Sequence, residues 1–269
     1  MSYADVNGLR MAYVREGTGT PLLLVHGITT YSRIWRNVMP ALAGHYDVIA
    51  VDLIGCGDSD KPLDIPYSLK AHAGYLADFM QSLGIEKYHY VGHDLGGGIG
   101  QIMAVQRAES LLSLSLVNSV AYNFWPVQPI TAMRIPIIRQ LLMSACDLGA
   151  FRLLLGRTIL HRQYITDTLI NDYWRPLSSD EGRKAFLHFA KCLDNNDLME
   201  IADQLADMSL PVLIVRGDAD PFLPAMIAEK LHAEIPGSRL ERIASASHYL
   251  QEDEPGWLSD TLLDFLGQV

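Results

Sequence analysis

Cysteine is scarce in this chain, and its few cysteines are not spaced for metal binding. Cys56, Cys146 and Cys192 make three, an odd number, and they lie far apart. No second cysteine stands close to any of them, as the paired ligands of a zinc site do. This usage fits a reduced, intracellular compartment. We therefore predict no structural metal and no disulfide framework.

Basic charge and long apolar runs are lacking too. The chain has 21 Lys and Arg against 31 Asp and Glu, a net charge of −10. Nucleic acid and anionic membrane surfaces need a basic patch, so we expect neither as a partner. No apolar run reaches the roughly 18 residues of a membrane span. The first residues carry no basic flank followed by an apolar stretch, so we expect no secretory signal and a cytoplasmic protein.

Strand and helix signals alternate along most of the 269 residues. Short apolar runs predict strands, and helical periodicity lies between them. Such alternation is typical of a mostly parallel sheet with helices on both faces. The strands are predicted at 21–26, 46–51, 88–93, 112–117, 211–215 and 238–243.

The alternation stops in the middle of the chain. Residues 121–207 show helical periodicity and no convincing strand. At about 150 residues per domain, the chain length suggests between one and two domains. We therefore predict one α/β core made of residues 1–120 and 208–269, interrupted by a helical insert at 121–207.

The sharpest motif is Gly92-His93-Asp94-Leu95-Gly96, between a predicted strand and a predicted helix. In the G-x-S-x-G elbow, a strand turns sharply into a helix and presents a nucleophile at the top of the sheet. Here Asp94 stands where that motif has serine. The alternative is an aspartate that only caps the following helix, which is common at such junctions.

Two further polar residues follow predicted strands of the same sheet. Asp220 comes after the strand at 211–215, and His248 after the strand at 238–243. Ligands of open α/β sheets bind at the carboxyl ends of strands, so we expect both residues near Asp94. Each also has a simpler explanation, as a turn residue or as a loop histidine without a role.

Together these features resemble the α/β-hydrolases, and more narrowly the epoxide hydrolase and haloalkane dehalogenase branch. The resemblance covers about residues 5–120 and 208–269. It implies an α/β-hydrolase fold, with a mostly parallel eight-stranded sheet and a helical lid formed by the insert. It is carried by His26-Gly27, the run at 52–62, Gly92-His93-Asp94, Asp220 and His248.

The resemblance also implies roles for these residues. The order nucleophile, acid, histidine is the α/β-hydrolase order, which gives a triad of Asp94, Asp220 and His248. The backbone amides of Ile28 and Leu95 would form the oxyanion hole. No metal or organic cofactor is implied.

An aspartate nucleophile restricts the chemistry. Attack of a carboxylate on a saturated carbon gives a stable alkyl ester, whereas attack on an ester or amide would give an anhydride. His248 would then activate water to hydrolyse that ester, and Asp220 would orient His248. The acidic chain and apolar insert favour a small, neutral, apolar substrate. We expect a monomer or a homodimer.

The leaving group separates the two branches. Haloalkane dehalogenases hold the halide with a Trp after the nucleophile and an Asn after His-Gly, where this chain has Leu95 and Ile28. Trp125 or Trp174 of the insert could substitute for these donors.

Epoxide hydrolases protonate the epoxide oxygen with lid tyrosines. Tyr164, Tyr173 and, in the place of a second tyrosine, His188 are the candidates. Epoxide hydrolase is therefore the first prediction, and haloalkane or haloacid dehalogenase the second. A non-catalytic receptor on a hydrolase scaffold is the third.

Overall fold

One eight-stranded sheet organises the molecule. The computed structural model describes residues 1–125, 130, 135 and 148–269. The strand order is β1-β2-β4-β3-β5-β6-β7-β8. All pairs from β4 to β8 are parallel, so the prediction of a mostly parallel sheet is confirmed. The strands are β1 Ser2–Val6, β2 Leu9–Glu16, β3 Pro21–Val25, β4 Asp47–Val51, β5 Tyr88–Asp94, β6 Leu111–Ser119, β7 Val212–Gly217 and β8 Arg239–Ile243.

The first two strands were not identified from the sequence. They form an antiparallel hairpin, and β2 also pairs antiparallel with β4. The turn between them is Asn7-Gly8, and both residues have positive φ, 56° and 82°. An Asn-Gly pair with two positive φ angles is the preferred two-residue hairpin turn.

The central strands are buried on both sides. Every residue of β4 and of β5 is buried. A parallel strand covered by helices on both faces reads as a continuous apolar run, which is why these strands could be identified from the sequence. The carboxyl ends of these parallel strands therefore lie at one edge of the sheet.

Helices cover the sheet and build the insert. Two helical regions of the core are broken: one consists of a 3₁₀ turn, Ser32–Trp35, and a short helix, Met39–Ala43, and the last is interrupted at Glu254. Pro255 begins the last helix because proline lacks the amide that a helix interior needs. The described α-helices are Met39–Ala43, Leu69–Ser82, Leu95–Gln106, Leu148–Thr158, Asp167–Trp174, Asp180–Cys192, Asn196–Met199, Ala225–Glu234, Leu250–Asp253 and Pro255–Leu266.

The described part of residues 121–207, the predicted insert, contains helices and no strand, and it is tied to the core by charged and polar contacts. The Tyr31 hydroxyl donates to the backbone oxygen of Asp172 (3.0 Å). Arg175 forms a two-pronged pair with Asp58 (2.7 and 2.9 Å). Both contacts fix the region of the helix Asp167–Trp174 against the loops at the sheet edge.

Glu252 is the most buried of these tying groups. Its carboxylate accepts from Arg36 Nη2 (2.8 Å), from Asn37 Nδ2 (3.3 Å) and from the Tyr173 hydroxyl. The side chain of Glu252 is 3% exposed. The buried charge of Glu252, four residues beyond His248, thus contacts both the insert, through Tyr173, and the core, through Arg36.

Replacing Glu252 by alanine should lower the free energy of unfolding by about 3 kcal/mol, because the Arg36 charge and the Tyr173 hydroxyl then lose their buried acceptor. Urea unfolding followed by circular dichroism measures this. Glu200→Ala is the control, since its pair with Lys70 is exposed and should matter far less. Equal effects of the two substitutions would contradict the proposed importance of burial.

The structure bears on two further expectations, one about membrane-spanning helices and one about the cysteines. Among the described residues, no helix has both the length and the apolar character needed to cross a membrane. Cys56 and Cys192 are free thiols, while Cys146 lies outside the described residues.

Candidate active site

Asp94 lies at a sharp turn between β5 and the helix Leu95–Gln106. Its backbone angles are φ 52° and ψ −116°, a strained conformation for a residue with a side chain. The close approach needs glycine at position 96, because a Cβ there would lie 2.5 Å from the backbone oxygen of Val25. The Asp94 side chain makes no helix-capping hydrogen bond. The capping alternative is therefore wrong, and the carboxylate is left for another use.

The Asp94 carboxylate is buried and held by backbone amides. The Ile28 amide donates to Oδ2 (3.0 Å), and the Leu95 amide lowers the pKa of the group. Burial raises the pKa of Asp94 to about 6, although the His248 charge and the two amides act in the opposite direction. A Cβ on Gly27 would lie 2.4 Å from Oδ2, so only glycine leaves room for this carboxylate.

Asp220 and His248 form the second half of the site. His248 Nδ1 lies 2.8 Å from Asp220 Oδ2. The other oxygen of Asp220 accepts from the amides of Phe222 (2.8 Å) and Leu223 (3.2 Å). Because Nδ1 is engaged with Asp220, Nε2 is the nitrogen that can accept a proton from water.

The charges of this pair shift both pKa values. Burial alone would lower the pKa of His248, but the charge and hydrogen bond of Asp220 and the charge of Asp94 raise it overall. Burial alone would raise the pKa of Asp220, but His248 and the two amides lower it overall. His93, the residue before Asp94, has its Nε2 2.9 Å from the backbone oxygen of His248, so the segments that carry Asp94 and the Asp220–His248 pair lie side by side.

Asn118, at the end of β6, was missed by the sequence analysis. Its Nδ2 donates to the backbone oxygens of Ser247 (2.9 Å) and His248 (3.0 Å), and its Oδ1 accepts from the Gly217 amide (3.0 Å). Asn118 thus ties the histidine loop to the end of β7. The available signal was a polar residue directly after a predicted strand, at the same edge as Asp94.

The predicted proton donors of the insert lie at the surface or are hydrogen-bonded to other groups. Tyr164 is 47% exposed and its ring packs on His161, so it lies at the surface and not in the site. The Tyr173 hydroxyl donates to Glu252. Nε2 of His188 lies 2.7 Å from the Ile65 backbone oxygen.

The predicted tryptophan donors are also placed differently from what the sequence suggested. The Trp125 indole N–H donates to the backbone oxygen of Tyr122 (3.0 Å). The Trp174 ring packs on Phe151, with ring centroids 5.5 Å apart. Among the described residues, no three His, Cys, Asp or Glu side chains are grouped so that they could hold a metal ion.

Comparison with known proteins gives the family. Residues 20–255 match the family model of the alpha/beta hydrolase fold. Haloalkane dehalogenase 2 of Mycobacterium tuberculosis is 27% identical over 96% of this chain and 92% of its own. The structure of an ancestral haloalkane dehalogenase, 27% identical, has a TM-score of 0.88 and covers 100% of this chain and 99% of its own.

An epoxide hydrolase, CorEH, shares the same fold at lower identity. Its structure has a TM-score of 0.85 and is 24% identical, covering 99% of this chain and 98% of its own. The family match spans Asp94, Asp220 and His248, and the relatives are hydrolases. The chain therefore belongs to the α/β-hydrolase family and is a hydrolase.

Proposed function

We propose that this hydrolase uses Asp94 as a nucleophile against a saturated carbon. The observation that carries this proposal is the Asp94 carboxylate at the strained elbow, bound by the Ile28 amide, with the Leu95 amide lowering its pKa. The amides leave the carboxylate ionised and aimed, and they would later stabilise the oxyanion of ester hydrolysis. A serine at this position would instead favour acyl transfer.

The reaction has two steps. Asp94 attacks the electrophilic carbon and forms an alkyl ester, while the bond to the leaving group breaks. His248 then takes a proton from water, and the hydroxide attacks the carboxyl carbon of the ester. Asp220, 2.8 Å from His248 Nδ1, orients the ring and stabilises its protonated form.

An epoxide is the substrate that the site favours. A halide leaves as an anion and needs N–H donors, but Leu95 and Ile28 replace the expected side-chain donors and the Trp125 N–H is already bound. An epoxide oxygen stays on the product and needs one proton. We therefore propose hydrolysis of small, apolar, neutral epoxides to diols without a cofactor.

A second candidate is a haloalkane dehalogenase with the same triad. It is favoured by a relative of that name at 27% identity over 96% of the chain. A haloacid falls under this second candidate, because its carboxylate needs a cation and Lys61 lines the narrow cavity together with Ile28 and Thr29. The receptor alternative loses support because the relatives are hydrolases.

Product analysis separates the two candidates. Purified protein is incubated with styrene oxide and, in parallel, with 1-bromobutane, and diol and bromide are measured. Diol formation is the expected result. Bromide release without diol formation would make dehalogenase the function, and failure with a broad panel of both classes would contradict an Asp94 nucleophile.

Activity should fall in acid. Asp94 must be ionised to attack, and its pKa is raised to about 6 by burial, so ester formation should slow as the pH drops through about 6. His248 must be neutral to activate water, and its raised pKa makes ester hydrolysis slow in the same direction. A profile of kcat/KM from about pH 4 to pH 8 measures this. Unchanged activity at the acid end would contradict it.

A further inference from the structure

Tyr249, directly after His248, directs a buried hydroxyl to the loop whose Ile28 amide binds Asp94. Its side chain is 1% exposed, and its hydroxyl lies 2.9 Å from Thr29 Oγ1. The ring packs on that of His248, with centroids 5.6 Å apart. Burial and the charge of Asp94 both raise the pKa of Tyr249, so this hydroxyl stays protonated near the carboxylate.

Thr29 is held in a strained conformation to make this contact. Its φ is 64°, which is rare for a β-branched residue. It directly follows Ile28, whose amide binds Asp94. Thr29 is half-buried and lines a narrow cavity together with Ile28, Tyr173 and Phe186. Backbone strain of this kind is concentrated at functional sites.

Three other tyrosine hydroxyls near the insert are already committed, whereas that of Tyr67 is buried without a hydrogen-bond partner among the described residues. Tyr31 donates to Asp172, Tyr122 to Glu234 and Tyr173 to Glu252. Residues 126–147 contain neither tyrosine nor tryptophan. Tyr249 and Thr29, by contrast, have only each other as side-chain hydrogen-bond partners within the described residues.

We propose that the Thr29–Tyr249 hydroxyl pair donates the proton to the leaving oxygen of the epoxide. This inference rests on the proposed function. It places the proton donor in the core, whereas the sequence analysis expected it in the insert. Since either hydroxyl can be the donor within the pair, the proton can pass from Tyr249 through Thr29 into the cavity. The pair then acts as one unit.

Protons and electrons balance over the cycle. An Asp94 oxygen bonds to an epoxide carbon, the carbon–oxygen bond breaks, and its electron pair stays on the ring oxygen, which takes the proton of the hydroxyl pair. Water then cleaves the ester, which restores the Asp94 carboxylate and leaves one proton on His248. That proton returns through water to the hydroxyl pair. The sum is epoxide plus water to diol.

The test measures ester formation alone. In a His248→Gln background, the single-turnover rate of adduct formation with styrene oxide is followed by intact-protein mass spectrometry. Tyr249→Phe and Thr29→Val should each slow it by at least about 100-fold, the usual size of general-acid catalysis. The double variant should be no slower than the slower single one, and Thr29→Ser should recover much of the loss caused by valine.

Controls separate chemistry from structure. Tyr75→Phe removes a hydroxyl that donates to the Pro66 backbone oxygen and should leave the rate unchanged. With 1-bromobutane, whose bromide leaves unprotonated, any ester formation should be far less sensitive to Tyr249→Phe. Unchanged epoxide rates, equal losses with both substrates, or multiplying effects in the double variant would overturn the proposal. Absence of any adduct in the parent would instead contradict the Asp94 nucleophile itself.

Discussion

Replacement of Asp94 by alanine is expected to abolish turnover, with kcat lower by roughly 10⁴-fold to 10⁶-fold, the range seen for loss of a nucleophile or its base. The carboxylate forms the covalent bond in the first step, and no second carboxylate can take its place, since Asp220 is bound to His248 and to two amides. Initial rates on styrene oxide at high enzyme concentration measure the loss.

The alanine variant must remain folded for this result to be interpretable. The raised pKa of Asp94 means that burial disfavours its charged form. Removal of this carboxylate therefore leaves no unpaired charge and should not destabilise the core. Asp218→Ala is the matched control, because Asp218 is two residues from Asp220 but pairs with Arg242 at the surface. A folded Asp94→Ala variant with more than about 1% of the original kcat would contradict nucleophilic catalysis by Asp94.

Replacement of His248 by glutamine should trap the ester. Glutamine fills a similar space but cannot take a proton from water, so the first step proceeds and the second stops. We expect each enzyme molecule to consume one molecule of substrate and turnover then to cease. Intact mass should rise by the full mass of an epoxide, or by an alkyl group less one hydrogen for a haloalkane.

Peptide mapping then locates the adduct. The added mass should lie on the peptide that contains Asp94, and it should vanish when Asp94→Ala is combined with His248→Gln. A His248→Gln protein that shows no adduct, while the unmodified enzyme turns over the same substrate, would sink the covalent mechanism. The difference in added mass also decides between epoxide and halide substrates without a product assay.

Much of the core could be predicted from the sequence because its signals are local. The run at 88–93 became β5, Tyr88–Asp94, whose seven residues are all buried, and parallel strands buried on both faces are mostly apolar. The hairpin β1–β2 was missed, because an edge strand with the burial pattern of Ser2–Val6 buries only two of its five side chains. Its Asn7-Gly8 turn was the readable signal.

The partners of individual donors could not be predicted in the same way. Tyr173 was expected to serve the substrate, but its hydroxyl meets Glu252, which is 79 residues away along the chain. Tyr249 follows His248 and drew no attention, yet it meets Thr29, which is 220 residues away. A hydroxyl looks the same in the sequence whether it is bound to a carboxylate or faces a cavity.

The sequence by itself determined the fold class, and it predicted Asp94, Asp220 and His248 as a site because each lies at the end of a strand or after one, and the carboxyl ends of parallel strands meet at one edge. Only the tertiary structure decided which polar groups remain available around them. That choice depends on contacts between distant segments, such as Asn118 with the His248 loop and Thr29 with Tyr249. Hydrogen bonds between side chains are fixed by packing geometry, which no local pattern encodes.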